Sequence, residues 1–125
     1  MSRPTIAIVG ASTDRSKFGN RAVRAYARHG YDVYPIHPKA QTIEGHTAYR
    51  TVLDVPVAAL DCVSIYLPPE IGLQVIEDVA RKPTREVWLN PGAESSELIA
   101  KARSLGLNVA VGCSIVAIGE DPDEL

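Results

Sequence analysis

Thr5-Ile6-Ala7-Ile8-Val9-Gly10-Ala11-Ser12 is the stretch on which the fold turns. Thr5 to Val9 is a continuous, largely β-branched run without polar alternation, the pattern of a strand buried on both faces of a parallel sheet. Gly10 ends it, and a loop rich in small and polar residues runs on to Asn20. From Gly19 to His29 the spacing changes to that of a helix. Ala22, Val23, Tyr26 and Ala27 share one face, Arg21, Arg24 and Arg28 the other, and Gly30 suits a left-handed cap.

The same alternation continues to the end of the chain. Asp32 to Ile36 is the second strand, stopped by Pro35 and Pro38. After a loop with Gly45, His46 to Tyr49 reads as a short edge strand and Arg50 to Asp54 as one helical turn. Asp61 to Leu67 is the next strand, and Pro68-Pro69 opens a helix with Ile71, Val75, Ile76 and Val79 inward. Glu86 to Leu89 is a further strand. A helix follows with Glu94 and Glu97 near its start, Leu98, Ala102 and Leu105 inward and Gly106 as its cap, and Asn108 to Val111 is the last strand. Strands separated by helices form right-handed βαβ units. The sequence therefore predicts an α/β fold: a doubly wound parallel sheet of Rossmann type, three-layered, with strand order 3-2-1-4-5-6. One domain over residues 1–125 is expected, with the acidic stretch 119–125 as a solvated, mobile end.

Composition narrows the function. With 13 basic and 15 acidic residues, the chain has no general basic field for nucleic acid or an anionic membrane. No apolar run approaches the roughly 20 residues that span a bilayer, and Thr5 to Val9 is too short for a signal-peptide core, so a cytoplasmic location is expected. Cys62 and Cys113 lie too far apart for a CxxC motif, and Cys62, inside an apolar run, reads as a small hydrophobe. His29, His37 and His46 lack metal-ligand spacing, and no HExxH, GxSxG or Walker pattern occurs.

In a doubly wound sheet, ligands bind outside the carboxyl ends of the strands, where the strand order reverses. The first such loop is Gly10 to Asn20. Gly10 and Gly19 permit a tight turn and close approach, the first amides of the following helix attract a phosphate, and Ser12, Ser16 and Lys17 add donors. It is not the dinucleotide fingerprint, since the two glycines are too far apart. The second loop, His37-Pro38-Lys39, lacks the acid that usually holds ribose hydroxyls. Lys39 instead suits a phosphorylated ribose, as in coenzyme A or NADP, and argues against NAD. Leu67, Pro68 and Pro69 make a rigid wall in the third loop, and in the fourth Asn90 offers an amide while Gly92 permits close approach.

Gly10-Ala11-Ser12, Phe18-Gly19-Asn20, Gly30-Tyr31, Pro38-Lys39, Ile43-Glu44-Gly45, Tyr49, Leu67-Pro68-Pro69, Trp88-Leu89-Asn90-Pro91-Gly92-Ala93 and Gly112-Cys113 fall in the order and spacing of one family. The chain resembles the CoA-binding domains typified by the N-terminal domain of the succinyl-CoA synthetase α subunit. The resemblance implies that Ser12, Lys17, Lys39 and Pro68 hold or border coenzyme A. His37 stands where small members often carry Asn, and the second domain with the synthetase's phosphohistidine is lacking, so the synthetase reaction is not implied.

Candidate catalytic groups are few. Cys113 and His37 both fall near the expected rim, but nothing in the sequence brings them together, so neither is assigned a catalytic role. The expected function is binding of coenzyme A or an acyl-CoA by a stand-alone, non-catalytic module. The alternatives are an NADP-linked enzyme or nucleotide-binding regulator, and an interaction protein whose inherited pocket is empty. A protein partner or homo-oligomer is compatible with the sequence but not indicated by it.

Overall fold

The computed structural model describes residues 3–125. The inner strands are β1 (Thr5–Val9), β5 (Leu60–Ile65) and β6 (Thr84–Leu89), the last apolar only over Val87 to Leu89. β2 (Asp32–Ile36) and β7 (Val109–Val111) complete one five-stranded parallel sheet in the order β2-β1-β5-β6-β7. β1 therefore sits at the reversal point, with Ile6 opposite both Val33 and Cys62.

The predicted third strand is corrected. Thr42–Ile43 (β3) and His46–Thr47 (β4) instead form a separate antiparallel hairpin, and a single parallel bridge between Ile36 and Tyr49 is what reaches β2. The cause lies in β2. The Pro35 carbonyl accepts from Tyr49 N–H at 2.9 Å, so it faces the outer edge. A residue's N–H and C=O point to the same side of a strand, and proline has no N–H to offer there. The ladder stops after one anchor.

Alternate residues of the strands feed two cores. Ala7, Val9, Val63, Ile65, Val87 and Leu89 pack with Ile76 and Val79 of α2 (Pro69–Ala80) and Leu98 and Ala102 of α3 (Ser96–Ser104). On the other face Ile6, Ile8 and Cys62 meet Ala22, Val23 and Tyr26 of α1 (Phe18–Arg28), with Ile115 of α4 (Ser114–Ala117). Three layers result. Two residues read as inward prove exposed: Ile71, at 45%, lies in the first turn of α2, and Leu105, at 41%, caps α3. Both fall at a helix end. Helical periodicity assigns a face, but it carries no information on where the neighbouring layer ends.

α4 has no counterpart in the sequence prediction, and the stretch expected as a solvated end lies against α1. Glu120 accepts from Arg28 and His29, which hold its carboxyl below the usual range, and the Pro122 carbonyl accepts from Arg21. Among the described residues no helix is long and apolar enough to cross a membrane.

Candidate functional site

The β1–α1 loop is built from its own short polar residues. Ser12 Oγ accepts from Asp14 N–H at 3.0 Å, and the Asp14 carboxylate accepts from the Ser16 hydroxyl and amide at 2.7 and 2.9 Å. Those two bonds hold the Asp14 carboxyl below its ordinary range. Gly10 takes a φ of +87°, and a Cβ there would stand 3.0 Å from the Tyr66 carbonyl carbon. No side chain caps the N-terminus of α1. Its first amides remain available to an anion.

A half-buried carboxylate, Glu44, braces this loop from the hairpin. Glu44 accepts from Arg15 and, at 3.2 Å, from Asn20 Nδ2, and these contacts keep its carboxyl low. Asn20, fully buried, also donates to the Ser12 carbonyl at 2.9 Å and accepts from Arg24 at 2.8 Å. Glu44 adopts a left-handed φ of 50° at the hairpin turn. That conformation costs an L-residue roughly 1–2 kcal/mol.

Two hollows open at the carboxyl edge of the sheet. A cleft of about 410 Å³ has Gly10, Ser12, Lys17, Phe18 and Gly19 on one wall, Tyr66, Leu67 and Pro68 at its centre, and Asn90, Pro91, Gly92, Ala93 and Cys113 opposite. A more apolar bay of about 480 Å³ is lined by Ala11, Ile36, His37 and Pro38 on one side, Arg50, Thr51 and Val52 on another, and Ile71, Val75 and Asp78 of α2. Gly10 and Leu67 belong to both. The hollows thus meet at the reversal point between β1 and β5.

Most of the residues singled out from the sequence line one hollow or the other, but Asn90 and His37 use side-chain atoms within the protein, and Ser16, Lys39 and Pro69 line neither hollow. Asn90 spends both amide donors on the protein: its Nδ2 donates to Ser64 Oγ at 2.8 Å and to the Ile65 carbonyl at 2.9 Å, and its Oδ1 accepts from Ser114 N–H at 2.9 Å. His37 Nδ1 accepts from the amides of Lys39 and Ala40 at 3.0 and 2.9 Å, so it closes a turn at the edge of the bay. Lys39, whose amide is folded back in that turn, is exposed and lines neither hollow. Pro69 begins α2 and lines neither. Sequence reasoning missed Tyr66, Arg50 and Asp78. Arg50 carried no local signal, because its place depends on the Ile36–Tyr49 bridge.

Beneath the cleft Ser64 Oγ, Ser114 Oγ and the Tyr66 hydroxyl form a chain at 2.7 and 3.0 Å, and Tyr26 donates to the Ser114 carbonyl at 2.8 Å. Burial pushes the Tyr66 phenol up to about 12. This network, with Asn90, holds the turn that carries Cys113. The two thiols differ sharply. Cys62 is 7% exposed and burial pushes it up to about 12, whereas Cys113 faces the cleft. A maleimide at neutral pH is expected to label Cys113 and spare Cys62, as read by peptide mass spectrometry. Labelling of Cys62 in the folded protein would contradict its burial.

A parallel sheet whose strand order reverses beside such a crevice defines a Rossmann-like domain. The family described as CoA binding domain matches residues 4–119, and the chain belongs to that family. Among curated relatives, the acetate–CoA ligase (ADP-forming) I subunit alpha of Pyrococcus furiosus is 26% identical over 137 residues, covering 97% of this chain and 29% of that one. The 4-hydroxybutyrate–CoA ligase (ADP-forming) of Nitrosopumilus maritimus is 32% identical over 89 residues, covering 70% of this chain and 12% of that one. The chain thus spans less than a third of the length of these relatives. A solved structure of a conserved hypothetical protein from Pyrococcus furiosus superposes with a TM-score of 0.82 at 30% identity, covering 93% of this chain and 99% of that one.

Proposed function

We propose that the chain binds coenzyme A or an acyl-CoA as a stand-alone module without catalysis. The observation that carries this reading is the pair of hollows meeting at Gly10 and Leu67. An elongated ligand with a nucleotide at one end and a flexible arm at the other suits two connected hollows. In this reading the uncapped end of α1, with Ser12 and Lys17, receives the pyrophosphate. The apolar bay takes the adenosine end against Pro38. The arm follows Leu67 and Pro68 into the cleft, toward Cys113. Family membership favours coenzyme A and lends the NADP alternative no support.

Two features favour binding over reaction. Cys113 and His37 line different hollows, and His37 Nδ1 is occupied by backbone amides. A nucleophile without a base in reach is a weak start for acyl transfer.

Isothermal titration with coenzyme A, acetyl-CoA, NADP and NAD is expected to show binding of the first two alone. Saturating coenzyme A is also expected to protect Cys113 from maleimide. Binding of NAD or NADP alone would overturn the reading, and no binding at all would favour an interaction protein.

A further inference from the structure

We propose that Arg50 is the side chain that recognises the phosphate on the ligand's ribose, in place of the lysine that the sequence suggests. The inference rests on the coenzyme A reading and sharpens one end of it.

In doubly wound sheets the ribose lies beyond the carboxyl end of the second strand, and a cation there accommodates a ribose phosphate. At that end of this molecule the bay is bordered by His37, Pro38 and Arg50, while Lys39 is outside its lining. Both neighbours of Arg50 are held by hydrogen bonds. Before it, Tyr49 N–H donates to the Pro35 carbonyl and the Tyr49 carbonyl accepts from His37 N–H, both at 2.9 Å. After it, the Thr51 hydroxyl and amide donate to Asp54 Oδ2 at 3.1 and 3.3 Å, capping the turn Val52–Asp54. The chain therefore delivers this side chain to the bay from a fixed point.

The guanidinium is also uncommitted. Among the described residues Arg50, exposed like Lys39, makes no ion pair or side-chain hydrogen bond; Lys39 makes none either, and it is the lining of the bay that separates the two. Asp78 is the one carboxylate lining the bay, and its partner is Arg81 at 3.8 Å. The planar guanidinium binds phosphate through two parallel N–H bonds, which an ammonium does not reproduce.

The test compares coenzyme A with 3′-dephospho-coenzyme A by calorimetry on the wild-type protein, Arg50→Ala, Arg50→Lys and Lys39→Ala. The wild type is expected to prefer coenzyme A. Arg50→Ala should lose about 10-fold or more in affinity for coenzyme A and little for the dephospho form, removing the preference. Arg50→Lys should restore part of it, and Lys39→Ala should leave it in place. Equal losses for both ligands in Arg50→Ala, equal wild-type affinities, or loss of the preference in Lys39→Ala would overturn the assignment while coenzyme A binding stands. Failure of the wild type to bind either ligand would overturn the coenzyme A reading, and this inference with it.

Discussion

Gly19→Ala is expected to abolish ligand binding and to lower stability by about 3 kcal/mol or more, because the added methyl has nowhere to go. A Cβ on Gly19 would lie 2.2 Å from the Gly10 carbonyl oxygen and 3.2 Å from Ala11 Cα. Both neighbours are backbone, fixed by β1 on one side and by the Asp14–Ser16 turn on the other. Alanine's better helix propensity recovers at most roughly 1 kcal/mol, so the clash decides the sign. Relief requires α1 to move away from β1. That movement would displace the amides proposed to face the pyrophosphate. Thermal unfolding and titration with coenzyme A check the two effects together, and an unchanged melting temperature with intact binding would refute the close approach.

Asn90→Ala should be the second most damaging substitution, although its side chain touches no proposed ligand atom. Its removal leaves the Ser114 N–H and a share of the Ser64 hydroxyl's bonding without partners in a buried site. Each such orphan costs about 1–3 kcal/mol, so roughly 2–4 kcal/mol is expected in all. A drop in melting temperature on the order of 10 °C would follow. Loss of affinity with an unchanged melting temperature would instead make Asn90 a ligand donor. The affected turn carries Cys113, so faster maleimide labelling of that thiol in Asn90→Ala is the accompanying sign.

The two substitutions mark what a linear reading reaches. β1 and most of β5 are legible because parallel strands buried on both faces read as near-continuous apolar runs, β6 by its apolar end Val87 to Leu89, and the helices between them by one apolar face. Gly10 and Gly19 are legible as places where the backbone must come close. Asn90 was visible as a polar residue at the end of a strand, but not the direction of its amide, since its partners lie on β5 and at the start of α4. β3 and β4, at two residues each, are too short for any periodicity to appear. Arg50 was hidden for a related reason: it reaches the bay through a single bridge formed between segments distant in sequence.

Pro35 matters beyond the ligand. The outermost strands of an open sheet tempt other chains to add to them. On the β2 side Pro35 withholds a donor and Tyr49 occupies the acceptor beside it, while the opposite margin, β7, is three residues long. Neither margin supplies the long run of free amides on which a foreign strand could polymerise. The abbreviated third strand therefore leaves the sheet both a port for Arg50 and a guard against edge-to-edge aggregation.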